Sequence, residues 1–169
     1  SHLGLVLLEQ GEHDAAVRSL VRAAEIAPES ADAHSNLANA LREQGKLEEA
    51  EDHIRRALAI KPDHAVAHCN FANVIQDLRQ FEVAIDSYRR AIKLDPDYAT
   101  AHSNLGNALK SMGSFEEAVA HGEKAVALEP KNDTFLSNLG MAYIACDSRQ
   151  EALDCFARAT QIRHGDPIR

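Results

Sequence analysis

The chain has 169 residues, of which 45% are hydrophobic and 26% charged, and its formal net charge is −8. Because affinity for nucleic acids rests largely on Lys and Arg, this acidic balance argues against general nucleic-acid binding, and it also argues against an anionic membrane surface. No apolar run approaches the ~20 residues that cross a bilayer, so we expect no membrane span.

The three cysteines are Cys69, Cys146 and Cys155, which form neither a C-x-x-C pair nor an even framework. Free thiols of this kind suit a reducing compartment, so we expect a cytoplasmic location and cysteines that pack as buried or half-buried small hydrophobes. We expect no secretory signal at the start of the chain. The opening Ser1-His2 reads equally well as native sequence or as a scar from an expression tag.

In chain order, the sequence divides into units of 34 residues. Residues 1–30 form an incomplete first unit, which lacks the opening four positions and ends in "APES". The complete units are 31–64, 65–98, 99–132 and 133–166, followed by a tail at 167–169. Each complete unit carries two apolar patterns of helical period. In the second unit a Gly-containing break, "EQGK", separates the patterns, and "KPDH" follows the second pattern as a stop.

Each unit is therefore predicted to form two helices of about 13 residues, each about 20 Å long. A single helix pair cannot cover its own apolar faces, so neighbouring pairs must stack. We predict an all-α fold in which residues 1–169 form a single array.

The first pattern of each unit contains a recurring phrase with two asparagines. It reads "HSNLANAL" from His34, "HCNFANVI" from His68 and "HSNLGNAL" from His102, with a weaker copy, "LSNLGMAY", from Leu136. This spacing resembles the tetratricopeptide repeat, a family whose pattern has Leu, a small and a large residue in the first helix, then Ala, a large residue and Ala in the second, then Pro. The second unit matches this pattern with Leu37, Ala38, Leu41, Ala50, Ile54, Ala57 and Pro62.

The resemblance covers essentially the whole chain and implies a solenoid of stacked antiparallel helix pairs with a right-handed superhelical course. Some positions depart from the pattern. Gly122 stands where a large residue is expected, and Gly inside a helix costs about 1 kcal/mol relative to Ala. Arg79 and Asp147 replace the turn glycine, and His164 stands where the other units have Pro.

On a helix, the asparagines of the recurring phrase fall on one stripe, roughly opposite the apolar residues. We call this set the asparagine ladder: Asn36, Asn39, Asn70, Asn73, Asn104, Asn107 and Asn138. Asn is a mediocre helix former, so helix propensity does not explain its recurrence. Its amide can both donate to and accept from an extended peptide backbone, which makes the ladder a candidate peptide-binding groove. The alternatives are that each Asn ties adjacent repeats together through a backbone hydrogen bond, or that the residues reflect repeat ancestry without a role.

The ladder and phrases such as "AHSNLGNALK" are similar to the superhelical region of O-GlcNAc transferases and to related bacterial repeat proteins. In the transferases such asparagines contact the backbone of a threaded protein substrate. Nothing in the chain resembles a sugar-nucleotide site. The leading hypothesis is therefore a non-catalytic protein-interaction module that binds a peptide or protein segment. The alternatives are a substrate-recruiting arm of a larger glycosyltransferase and a self-assembling scaffold.

We predict no active site, metal site or cofactor. The residues His34, His68 and His102 lie one repeat apart, about 8–10 Å on packed helices, which is too far to share one metal ion. They are expected to contribute to packing between repeats. Partners with acidic tails of the kind bound by carboxylate-clamp relatives are not expected, because Arg42 and Lys110 are nearly alone as cations on the stripe.

The two ends are expected to be uncapped. Leu3 and Leu7 lack preceding residues to shield them, and Gly165 with Pro167 ends the last helix without a capping helix after it. The apolar residues left unpartnered at this end would be Phe156, Ala159 and Ile162. We therefore expect the chain to be a piece of a longer array that self-associates through its ends.

Overall fold

The computed structural model describes residues 13–165 together with residue 6. Within these residues the chain forms α-helices and no strands. The helices are α1 (His13–Ile26), α2 (Ala31–Glu43), α3 (Leu47–Ile60), α4 (Ala65–Asp77), α5 (Phe81–Leu94), α6 (Ala99–Ser111), α7 (Phe115–Leu128), α8 (Asp133–Ala145) and α9 (Arg149–His164). The predicted all-α helical repeat fold is confirmed. No helix in the described part of the chain is both long and apolar enough to cross a bilayer.

The helices are grouped in two compact units. Unit 1 comprises residues 1–94 and unit 2 comprises residues 95–169. In unit 1, α2 packs on α3 and α4 packs on α5, while α2 also contacts α4. In unit 2, α6 packs on α7 and α8 packs on α9, while α6 also contacts α8. The first helices of successive repeats therefore lie side by side within each unit. Whether residues 1–169 form a single array with the repeat boundaries given above stays a prediction.

The helix ends follow the punctuation of the sequence. The turn between the helices of each pair contains one residue with a left-handed backbone, at Gly45, Arg79, Gly113 and Asp147. Two of these are not glycine, with φ of 65° at Arg79 and 58° at Asp147. At each turn a backbone N–H bonds back to a carbonyl five residues earlier, as from Lys46 to Leu41, which satisfies the end of the first helix.

The core of each unit consists mainly of Ala and Leu. In unit 1 one cluster surrounds Leu20 and Leu37 and another surrounds Ile54, while in unit 2 a cluster surrounds Leu136 and Leu139. Alanine at the contacts lets helices approach closely. Cys69 and Cys155 are buried and Cys146 is half-buried, all as free thiols, as the sequence predicts.

Gly122 is not a defect in α7. A Cβ at this position would lie 2.9 Å from Leu139 Cδ1, so Leu139 occupies the space that a large residue would fill. Gly165 ends α9 with φ of 71°. The predictions made for Ser1-His2, Leu3, Leu7 and Pro167 fall outside the described residues.

The prediction for the apolar face of the last helix pair needs correction. Ala159 is 3% exposed, and Ile162 packs against the same buried cluster of unit 2. Phe156 is half-buried and lies against Gly140, at 2.8 Å from a Cβ placed there. These three side chains pack within unit 2 because they lie on the side of α9 that contacts α8. The large apolar residue that α9 exposes is Leu153, at 61%.

Candidate peptide-binding face

The asparagine ladder lies on the first helices of both units, and all seven side chains are half-buried. In unit 1, α2 carries Asn36 and Asn39, and α4 carries Asn70 and Asn73. In unit 2, α6 carries Asn104 and Asn107, and α8 carries Asn138. The helical period of the phrase brings the asparagines of each helix to one face. Within each unit, the contact between the two first helices places their asparagine faces side by side.

Two asparagines bind a serine on the neighbouring first helix. Asn70 Nδ2 donates to Ser35 Oγ at 3.0 Å, and Asn138 Nδ2 donates to Ser103 Oγ at 3.0 Å. The serines are 1% and 2% exposed. The same bond thus occurs once in each unit, between residues 35 positions apart. A tie between adjacent first helices is therefore present at these two positions, but it runs through a serine side chain and not through the backbone hydrogen bond of the alternative given above.

These serine bonds fix the orientation of the amides. Each bond uses one amide hydrogen of the asparagine, and the Oδ1 atoms of Asn70 and Asn138 have no hydrogen-bond donor among the described residues. A carbonyl oxygen held in one direction on a half-buried face can accept an N–H from another chain. The two serines are visible in the sequence, where Ser35 and Ser103 recur at the same place in the phrase "HSN". Their role as anchors depends on which helix lies beside them.

Asn73 and Asn39 bind within the repeat. Asn73 Oδ1 accepts from the hydroxyl of Tyr88 at 2.6 Å. Tyr88 is 1% exposed, and burial raises its pKa well above the ordinary value, with the nearby Cys69 acting in the same direction. The hydroxyl donates to Asn73 and so holds the amide with its carbonyl turned toward Tyr88. Asn39 Nδ2 makes a longer contact of 3.4 Å to Glu43.

One ion pair crosses the face of unit 1. Arg42 Nη1 lies 3.0 Å from Asp77 Oδ2, which links α2 to α4. The Nε atom of Arg42 is buried and has no hydrogen-bond partner among the described residues. This cation is therefore paired with an acid on its own face.

The histidines of the phrase bind the preceding loops. His34 Nε2 lies 3.0 Å from Pro28 O, and the equivalent distances are 2.8 Å from His68 to Pro62 and 3.1 Å from His102 to Pro96. A carbonyl oxygen only accepts, so each Nε2 carries a hydrogen. These contacts join each histidine to the loop before its helix, which is a packing role of the kind that the sequence predicts. In residues 13–165 no group of three or more His, Cys, Asp or Glu side chains is arranged to hold a metal ion.

A groove on a different surface recurs in both units. In unit 1 it is bounded by α3, α4 and α5, with the Arg55 guanidinium 5.1 Å from the centre of the Phe71 ring. In unit 2 it is bounded by α7, α8 and α9, and there the Tyr143 hydroxyl donates to Glu123 at 2.6 Å. Arg55 and Glu123 occupy equivalent positions but have opposite charge. The two grooves therefore do not share a ligand chemistry, whereas a serine-anchored asparagine of the ladder recurs in both units.

Comparison with known proteins supports the repeat pattern. Family models described as TPR repeat match residues 77–113 and 106–145, and models described as Tetratricopeptide repeat match residues 2–65 and 134–164. A sequence search of curated proteins returns no match.

Several solved structures are similar to this chain. TTC0263, a thermophilic TPR protein of Thermus thermophilus, has a TM-score of 0.86 at 24% identity, covering 95% of this chain and 88% of that one. PilF of Pseudomonas aeruginosa has a TM-score of 0.80 at 26% identity, covering 94% and 73%. MamA of Desulfovibrio magneticus has a TM-score of 0.76 at 20% identity, covering 99% and 94%. At this level of identity the likeness shows the fold, and the family models match repeats along nearly the whole sequence. The chain belongs to the tetratricopeptide repeat family.

Proposed function

We propose that this chain is a protein-interaction module that binds an extended protein segment along the asparagine ladder, mainly through the backbone of the segment. The family is one of protein- and peptide-binding modules, typically non-catalytic, and the ladder is the feature of the first-helix surface that recurs in both units. The observation that carries the proposal is the pair of serine-anchored amides at Asn70 and Asn138, whose carbonyl oxygens have no donor among the described residues.

The spacing of the ladder suits an extended backbone. Packed helices lie about 8–10 Å apart and an extended chain rises about 3.3 Å per residue, so each repeat meets roughly three residues of the segment. Each net hydrogen bond contributes about 0.5–1.5 kcal/mol. Binding is therefore weak per repeat, broad in sequence and dependent on several repeats.

Separate replacement of Ser35 and Asn70 by Ala distinguishes a role in peptide binding from a role in stability. Asn70→Ala removes both the bond to Ser35 and the acceptor offered to the segment, whereas Ser35→Ala removes the bond alone. We expect both variants to lower the free energy of unfolding by about 1 kcal/mol. We expect Asn70→Ala to weaken peptide binding several-fold more than Ser35→Ala does. The matched pair in unit 2 is Asn138→Ala and Ser103→Ala.

The probe is a capped peptide of about ten residues, built from Ser, Thr, Gly and Leu, which is long enough to span the two first helices of one unit. A second version carries N-methyl groups at alternate backbone nitrogens, which removes N–H donors and leaves the side chains unchanged. Isothermal titration calorimetry should show weaker binding of the methylated peptide to the native protein. Equal binding of both peptides, or equal effects of the Ser and Asn variants, would mean that the ladder serves only to join repeats.

The cytoplasmic location, the transferase-arm role and the scaffold role remain hypotheses from sequence. A transferase arm would bind the same kind of segment as the proposed module, so the tests above also apply to it. The self-assembling scaffold is tested instead by the dependence of the mass in solution on protein concentration.

A further inference from the structure

The face of unit 2 lacks an ion pair that unit 1 possesses. In unit 1, Arg42 of α2 pairs with Asp77 of α4 at 3.0 Å. The equivalent residues two repeats later are Lys110 of α6 and Ala145 of α8. The cation is retained in unit 2, but the position of its acidic partner is occupied by a methyl group.

Lys110 is left with an unneutralised charge. Among the described residues it has no ion-pair or hydrogen-bond partner, although its side chain is half-buried, and burial lowers its pKa. An exposed lysine would be fully hydrated, but a half-buried one has lost part of its water without gaining an anion. In a chain of net charge −8, such a cation favours an acidic group brought from outside.

The neighbouring helix offers an apolar surface at the same place. Met141 of α8 stands at the ladder position held by Asn39, Asn73 and Asn107, and Ile144 stands at the position of Lys110. Their exposed fractions are 49% and 50%. They are three residues apart on one helix and so share a face, and the bond from Asn138 to Ser103 places that side of α8 next to α6.

From these three observations we infer that unit 2 selects segments in which an acidic side chain, Asp or Glu, lies near a large apolar side chain. The carboxylate meets Lys110 on α6, and the apolar side chain covers Met141 and Ile144 on α8. The inference rests on the proposed binding of an extended segment and adds its sequence preference. The charge of Lys110 is what identifies the occupant, because an apolar surface alone would accept any apolar partner.

The spacing defines the probe. In an extended segment, residues two apart point to the same side and lie about 6.6 Å from each other, and long side chains cover the remaining distance between helices about 8–10 Å apart. The probe is therefore a capped peptide with the core Leu-Ser-Glu-Ser-Leu in a Gly/Ser/Thr background, which presents the pair in either chain direction. Two companion peptides replace Glu by Gln, or both Leu by Ser.

Matched variants isolate each contact. Lys110→Gln removes the charge from the ladder face, and Lys131→Gln removes a charge from an exposed loop lysine of the same unit. The double variant Met141→Asn with Ile144→Gln installs the residues that α4 has at these positions, and Leu153→Gln on α9 is the control for loss of an exposed apolar residue. Thermal denaturation followed by circular dichroism checks that each variant retains its helices.

The expected result is a preference of the native protein for the Glu peptide over the Gln peptide by about threefold to tenfold, since the contact is half-exposed. This preference should shrink with added salt and disappear in Lys110→Gln but persist in Lys131→Gln. The preference for Leu over Ser should disappear in the double variant and persist in Leu153→Gln.

Other outcomes overturn the inference in distinguishable ways. If all peptides bind equally but Asn70→Ala and Asn138→Ala weaken them, backbone binding stands and the sequence preference is wrong. If no peptide binds at millimolar concentration, the proposed function and the inference both fail. If the mass in solution rises with concentration and this rise vanishes in the double variant, with no peptide preference, the occupant is a second copy of this chain.

Discussion

Arg79 and Asp147 adopt a left-handed backbone at the turn position where Gly45 and Gly113 stand in other repeats. The turn requires this conformation because the second helix of the pair must fold back on the first. The backbone is therefore left-handed at this position whether or not the residue is glycine. An L-residue in this region costs about 1–2 kcal/mol. We therefore expect Gly113→Ala to lower the free energy of unfolding by about 1 kcal/mol, although nothing lies within 4 Å of a Cβ at this position.

The opposite exchange is Arg79→Gly. It relieves the backbone but removes a contact in which the guanidinium lies 5.2 Å from the centre of the Phe81 ring, and it makes the unfolded chain more flexible. We therefore expect Arg79→Gly to raise the free energy of unfolding by only about 0.5 kcal/mol. Urea denaturation of both variants tests the argument, and an unchanged midpoint for Gly113→Ala would contradict it.

His53 makes the stability of unit 1 dependent on pH. Its Nδ1 lies 3.1 Å from His34 Nδ1, and the His34 Nε2 hydrogen is already donated to Pro28. His34 Nδ1 therefore accepts, and His53 donates. Burial lowers the pKa of His53, as do His34 and Arg56, while Asp52 and Glu49 act in the opposite direction. Because the folded pKa lies below the unfolded value of about 6.5, the unfolded state binds more protons.

Stability is therefore fully present above about pH 6.5 and falls as the pH drops below that value toward the folded pKa of His53. We expect the difference in urea midpoint between pH 7.5 and pH 5.5 to be smaller in His53→Asn than in the native protein. The exposed His164, at the end of α9, provides the control His164→Asn, which should leave the difference unchanged. A native-sized difference in His53→Asn would show that this histidine does not carry the pH dependence.

Helices α7 and α8 pack with a small residue on α7, Gly122, against a large residue on α8, Leu139. Gly122 stands where α3 has Ile54 and α5 has Tyr88, and Leu139 of α8 fills the space, with its Cδ1 atom 2.9 Å from a Cβ placed on Gly122. We expect Gly122→Ile to destabilise the protein by about 1–3 kcal/mol through overpacking.

A second substitution tests whether Leu139 is the cause. Leu139→Ala alone should cost about 2–5 kcal/mol, because Leu139 is 4% exposed and its removal leaves a cavity. The combination of Gly122→Ile with Leu139→Ala should cost less than the sum of the two single changes. Additive losses in urea denaturation would mean that the two residues do not share the space.

The net charge of the chain governs which partners approach it. With 26 acidic and 18 basic residues, the chain repels polyanions, and among the described residues basic side chains such as Arg42, Arg55 and Arg90 are paired with acids. We expect no retardation of duplex DNA in a gel-shift experiment at about 0.15 M salt, because non-specific binding requires several phosphate contacts. Micromolar binding with a steep salt dependence would contradict this expectation.

Much of the fold was available in the sequence because its signals are local. The apolar period identified each helix, and the breaks at "EQGK" and "KPDH" coincide with the ends of α2 and α3 and the start of α4. Such features depend on residues within one or two turns, through the left-handed turn residue and the effect of Pro on the preceding backbone. The fixed period of 34 residues then required stacking, since no single pair covers its apolar faces.

The partners of the candidate site were settled by tertiary structure. Helical periodicity places the asparagines on one face of each first helix, but it does not show that Asn70 and Asn138 are anchored by serines or that Asn73 is held by Tyr88. Likewise, the lack of an acid beside Lys110 in the described part of the chain follows from Ala145, which stands on α8 where α4 has Asp77, and not from the neighbours of Lys110 in the chain. A hydrogen bond or an ion pair between helices depends on which side chains the packing places within about 3 Å, and helical periodicity specifies the face of a residue but not its partner on another helix.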